Sequence, residues 1–190
     1  MSVNLVKGQK INLSKEVNGL SKVIVGLGWD AAKKGLFQTL PNIDCDASAI
    51  ILDTDDKYQD VVYYGNRSGA NNCVYHHGDN LTGDGVEDDE QITVDLTNMS
   101  SSVGRIVFVV NIYACKERKQ DFGMIKNAFI RLVDALTEKE ICKYNLSENY
   151  SGKTAMIFAE VYKKGNEWRF NAIGQGTTDK SIRELIKRYK

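Results

Sequence analysis

The chain has 190 residues, and its 25 Lys plus Arg are balanced by 25 Asp plus Glu, for a formal net charge of zero. That length suits one domain, 1–190, with a core large enough to fold without a disulfide or structural metal; the even charge points to no polyanionic partner, and the basic residues are scattered, apart from a modest C-terminal group, rather than forming the stripe that a nucleic-acid partner needs. The longest apolar run, IVFVVNIYA from Ile106 to Ala114, is far short of the ~20 residues that span a bilayer. The N-terminus lacks a signal-peptide apolar region. Cys45, Cys73, Cys115 and Cys142 contain no CxxC pair, so they read as reduced thiols of a cytoplasmic protein.

In chain order, short β-branched or aromatic segments bounded by Gly, Asp or Asn dominate. Strands are expected at 20–28, 46–53, 61–66, 91–96, 104–113, 127–134, 140–146, 154–164 and 167–175. In 127–134, Ala128, Ile130 and Leu132 alternate with Phe129, Arg131 and Val133, the period of a strand. Gly165-Asn166, between two aromatic-rich runs, predicts a tight hairpin. Helix is expected in two places only. A short turn is predicted around 147–150. The C-terminal DKSIRELIKRYK places Ile182, Leu185 and Ile186 on one face, with Ser181 and Glu184 spaced as a capping box. The fold class is therefore all-β: a β-sandwich of two antiparallel sheets with short peripheral helices, including a C-terminal one.

The charge is even overall but not locally. GDNLTGDGVEDDE, Gly78 to Glu90, holds six carboxylates in its last twelve residues, three glycines and no Lys or Arg. Such like charges repel increasingly as they leave water. One outcome is a solvated acidic face, the usual fate of a charge run. The other is a hard cation, most plausibly calcium, which takes six to eight oxygens. Asp79, Asp84, Asp88, Asp89 and Glu90 offer carboxylates, and Asn80 and Thr82 offer neutral oxygens. An EF-hand is excluded, because Leu81 and Gly83 occupy ligand positions and Asp84 replaces the turn glycine. Asp44 and Asp46 share one face of an incoming strand, with Cys45 and Ala47 on the other, and Asp30 closes a third strand.

These motifs resemble the TerD family of tellurite-resistance and general-stress proteins. VGLGWD (25–30), DCDASAIILD (44–53), VYYGN (62–66), IVFVVNIY (106–113), NAFIRLVD (127–134), TAMIFAEVYK (154–163) and EWRFNAIGQG (167–176) follow in the family's order around the acidic loop. The resemblance implies a calcium-binding β-sandwich, non-enzymatic and cytoplasmic, that acts as a binding or scaffold module. Its implied partners are calcium, in two or more ions, and proteins of a stress-response complex, with peripheral membrane association but no transmembrane segment. The family motifs carry over onto Asp44, Asp46, Asp79, Asn80, Asp84, Asp88, Asp89 and Glu90. Glu87 stands where the family often has glycine, and the helical C-terminus replaces a glycine-rich ending.

Other signals are weaker. VGLGWDA matches G-x-G-x-x-A after a strand, but no helix pattern follows to hold a pyrophosphate. Cys73, His76 and His77 lack the second ligand pair of a structural zinc site. The competing functional class is a binder of phosphate- or nucleotide-bearing ligands, or a metal-dependent hydrolase, using the same acidic loops. The basic residues around the C-terminal helix suit either a helix docked on the sandwich or one touching an anionic surface.

Overall fold

In this computed structural model, residues 2–31, 43–78 and 88–190 are described. Among the described residues thirteen strands run β1 (Val3–Leu5), β2 (Lys10–Asn12), β3 (Lys22–Ala31), β4 (Cys45–Asp53), β5 (Tyr58–Val62), β6 (Ser68–Gly69), β7 (Val74–His76), β8 (Glu90–Asp95), β9 (Val103–Ile112), β10 (Ile125–Asp134), β11 (Glu140–Asn145), β12 (Ala155–Lys164) and β13 (Glu167–Thr177). The helices are α1 (Leu13–Glu16), α2 (Cys115–Arg118) and α3 (Ile182–Ile186), and a 3-10 turn follows α3 at Lys187–Tyr189.

The strands form a seven-stranded sheet in the order β1-β11-β10-β3-β8-β7-β6 and a six-stranded sheet in the order β2-β13-β12-β9-β4-β5. Every pairing is antiparallel except β1 with β11, which is parallel. Strand alternation explains the core. Val23, Val25, Leu27 and Trp29 of β3 turn inward, as do Cys45, Ala47, Ala49 and Ile51 of β4 and Ile106, Phe108 and Val110 of β9. The alternation predicted for 127–134 is present, with Ala128, Ile130 and Leu132 buried.

The runs AIIL in β4 and IVFVV in β9 are apolar on both faces because both faces are covered. Ile50, Leu52, Val107 and Val109 point out of the six-stranded sheet into a second cluster with Leu185 and Ile186. The C-terminal helix is thus docked on the sandwich. Its capping box is not formed: Ser181 makes no side-chain cap, and Glu184 Oε2 accepts instead from the Lys180 N–H at 2.8 Å. The predicted hairpin closes at Gly165, with Lys164 opposite Glu167 and Gly165 at φ +62°.

Several expectations shift. The segment 61–66 is a strand only to Val62, after which Tyr63 and Asn66 bridge across a turn. The short strands β1, β2, β6 and β7 and the helices α1 and α2 were not anticipated, because two to four residues carry no measurable period. No helix forms at 147–150, where Asn149 Oδ1 instead accepts from Ser151 N–H. Among the described residues no helix is long and apolar enough to cross a membrane.

Candidate functional site: the acidic end of the sandwich

One end of the sandwich collects the C-terminus of β3, the N-terminus of β4, the N-terminus of β8 and the C-terminus of β9. Asp30, Asp44, Asp46, Asp88, Asp89 and Glu90 all belong to it. Asp79, Asn80, Thr82 and Asp84, and with them Glu87, lie outside the described residues, as does Pro41.

Each described carboxylate is engaged differently. Asp30 is exposed on β3, and its Oδ2 accepts from Asn127 Nδ2 at 2.8 Å. Asp44 stands 3.6 Å from Arg118, and its carbonyl accepts from Tyr113 N–H. Asp46 is 7% exposed and accepts from Asn111 Nδ2, its register partner on β9, at 3.2 Å. Cys45 and Ala47, which alternate with these two acids, face the core, as strand alternation requires.

The three consecutive acids reach three different elements. Both Asp88 oxygens are held by Arg131 of β10, at 2.6 Å and 3.0 Å. Asp89 Oδ2 accepts from Trp29 N–H of β3 at 2.7 Å, while its own N–H binds Leu27 carbonyl. Glu90 crosses to the other sheet, where its Oε2 accepts from Ala47 N–H at 2.7 Å and lies 3.4 Å from His76 Nε2. The Gly78 N–H donates to His76 Nδ1. Nδ1 is therefore the acceptor and the proton sits on Nε2, which faces Ala47 carbonyl at 3.2 Å.

These groups share one electrostatic field. Burial pushes the Cys45 thiol well above its ordinary value, and the charges of Asp46, Glu90, Asp44 and Asp89 push it further. A buried thiol that feels four carboxylates marks where negative charge is concentrated. The donor set is hard oxygen, which suits calcium or magnesium rather than zinc. Among the described residues, however, no three His, Cys, Asp or Glu stand close enough together to hold a metal ion. His77 turns outward to Thr93, 2.7 Å away, so Cys73, His76 and His77 do not converge.

The glycines of VGLGWDA sit inside β3 and not at a turn, which removes the dinucleotide motif. They serve neighbouring side chains. A Cβ at Gly26 would lie 2.1 Å from Asp88 Oδ2, and one at Gly28 would lie 2.4 Å from the Phe129 ring. Arg131 was missed as a site residue, since nothing local in sequence ties it to the acids, and His76 was weighed only as a zinc ligand or a strand residue leading into the acidic loop.

A separate cleft of about 610 Å³ opens at the opposite end, lined by Asp53, Asp56, Arg105, Lys163 and Trp168 among others. Arg105 pairs with Asp56 and Glu160, and Lys163 lies over the Trp168 ring.

Fold and site define a class: a two-sheet β-sandwich with carboxylates from several strands gathered at one end. A TerD-domain model matches residues 1–189. "Stress response protein SCP2" of Bacillus subtilis is 50% identical over 200 residues, covering 100% of both chains. "Tellurium resistance protein TerD" of Serratia marcescens is 41% identical over 179 residues, covering 93% of this chain and 91% of its own. Among solved structures, a homologue of telluride resistance protein (TerD) from Streptomyces coelicolor superposes with a TM-score of 0.71 at 21% identity, over 90% of this chain and 99% of that one. That likeness bears on the fold alone. The chain belongs to the TerD family.

Proposed function

We propose that this chain is a calcium-binding module of the stress response, non-enzymatic and cytoplasmic, whose metal-loaded loops form a surface for protein partners. The observation that supports the reading is the gathering of Asp30, Asp44, Asp46 and Asp89 at one end of the sandwich, at the ends of β3, β4 and β8. They lie at the end of the sandwich where β7 leaves and β8 begins. Concentrated carboxylates of this kind destabilise a fold unless a cation offsets them.

Asp30, Asp44, Asp46 and Asp89 would supply the described share of the oxygens, joined by Asp79, Asn80, Thr82 and Asp84. Asp88 and Glu90 are already engaged, by Arg131 and by Ala47 with His76. Bound calcium would neutralise the clustered charge. The names of the relatives in Bacillus subtilis and Serratia marcescens support a role in stress or tellurium resistance.

The test is a melting curve of the full chain with and without calcium. Binding at a hundredfold excess over Kd adds about 2.7 kcal/mol, which for a chain of this length is a rise of about 5–10 °C. The combined change Asp44→Asn with Asp46→Asn should abolish the rise. A melting temperature indifferent to millimolar calcium would refute the reading. A further rise when a nucleotide is added to the calcium form would favour the competing class, in which a metal keeps open positions for a ligand.

A further inference from the structure

Gly26 lies on the outward face of the seven-stranded sheet, with Arg131 of β10 and Gln91 of β8 as its register partners on either side. The missing side chain leaves a slot, and the Asp88 carboxylate fills it. Oδ1 accepts from Arg131 Nε at 2.6 Å, and Oδ2 accepts from Arg131 Nη2 at 3.0 Å and Gln91 Nε2 at 3.1 Å. The Asp88 side chain is only 1% exposed. A two-pronged guanidinium–carboxylate bond with a further donor is among the strongest arrangements a carboxylate can have.

We propose that Asp88 is the anchor of the acidic segment and Arg131 its positioning residue, and that Asp88 is not itself a metal ligand. The pair pins Asp88, at the end of the segment, to the sheet. Asp89 is then in register to take the Trp29 N–H, and Glu90 to cross to Ala47. Drawing Asp88 towards a cation would break three hydrogen bonds and empty the Gly26 slot. The anchor stands on geometry alone; its consequence for calcium rests on the reading proposed above.

The two roles of Asp88 predict opposite signs at Arg131. If Asp88 coordinated calcium, Arg131 would compete for it, and removing the guanidinium would strengthen binding. If Asp88 is the anchor, removing the guanidinium loosens the segment and weakens binding.

The experiment uses the full chain as parent, Arg131→Gln, Asp88→Asn, Gly26→Ala, Gly28→Ala and the Arg131→Gln/Asp88→Asn double variant. Each is titrated calorimetrically with calcium chloride, and amide exchange at Trp29 and Asp89 is followed by NMR without calcium. Arg131→Gln, Asp88→Asn and Gly26→Ala should each weaken binding about tenfold, or ~1.4 kcal/mol. The double variant should be no weaker than its worse single, because both changes remove one interaction. Gly28→Ala displaces Phe129 on the same strand but spares the slot, so its affinity should stay within about twofold of the parent. Exchange at Trp29 and Asp89 should quicken in the three anchor variants and not in Gly28→Ala. Calcium binding by Arg131→Gln as tight as the parent's, or tighter, overturns the proposal. If the parent itself takes up no calcium, the calcium reading falls separately; unchanged exchange at Trp29 and Asp89 would then overturn the anchor.

Discussion

Glu90→Ala tests the contact that closes the acidic end of the sandwich. β5 stops at Val62, opposite Ala49, so among the described residues β4 has no strand neighbour on its β5 side beyond that point. Ala47 turns its N–H and carbonyl to that side, and the other sheet supplies the partners: Glu90 for the N–H and His76 for the carbonyl. Glu90 is 2% exposed and His76 fully buried. Removing the carboxylate leaves a buried N–H without its charged acceptor, a loss of about 1.5–3 kcal/mol. The one buried methylene lost, Cγ, adds roughly 0.8 kcal/mol. Relief of repulsion among Asp44, Asp46, Asp89 and Glu90 offsets part of this, leaving a net loss of about 2–3 kcal/mol from these principles. At 2–4 °C per kcal/mol for a chain of this size, the melting temperature should fall by about 4–12 °C. Urea denaturation of the calcium-free protein measures the loss directly, with the slope unchanged if only the native contact is affected. His76→Ala in the same background should cost less than it does alone, since the two side chains hold one backbone unit. A Glu90→Ala variant within about 0.5 kcal/mol of the parent would show that the cross-sheet contact does not hold the end together.

Two further outcomes are expected. Leu185 is fully buried against the outer face of the six-stranded sheet, so Leu185→Ala should destabilise by about 2–5 kcal/mol. Truncation after Thr177 should expose Ile50, Val107, Val109 and Ile157 and raise binding of an apolar dye; an unchanged dye signal would show that the helix covers nothing. At high pH, burial pushes the Cys142 thiol up to about 12 and the Cys45 thiol well above its ordinary value, with neighbouring carboxylates adding to the shift. Unfolded thiols ionise near ~8.5. Because the folded values are raised, this contribution to stability is intact below about pH 8.5 and declines as pH climbs towards the folded values. Replacing both thiols by alanine should flatten the fall of melting temperature above that pH, and an identical slope in the variant would refute the linkage.

The long strands were legible because each satisfies its own period. Ile130 and Leu132 alternate with Arg131 and Val133 whatever surrounds them, whereas the apolar runs AIIL of β4 and IVFVV of β9 were read as strands without the two covered faces that the structure gives them. The short edge strands were not legible, since Val3–Leu5 and Lys10–Asn12 owe their conformation to β11 and β13 and not to any pattern of their own. The C-terminal helix was legible from its stripe, but its cap was not. Spacing fixes which residues could bond, whereas Ser181 at φ −162° and ψ 161° leaves Glu184 reaching the N–H one residue earlier.

For the site, charge density was legible and the division of labour was not. DDE reads as three equivalent ligands, yet Asp88 meets a guanidinium contributed 43 residues later, Asp89 a backbone N–H 60 residues earlier, and Glu90 the opposite sheet. Strand alternation alone would put Asp88 and Glu90 on one face. The bend at Asp89, ahead of β8, instead carries Asp88 back over Gly26 on the outer face, while Glu90 enters between the sheets to Ala47. A glycine-containing motif that looked like a phosphate cradle proves to be the floor under an acid. The same two observations, a slot without a Cβ and a guanidinium beside it, explain why so much like charge can end in a well-packed strand. The protein compensates Asp88 and Glu90 itself, through Arg131 and through Ala47 with His76.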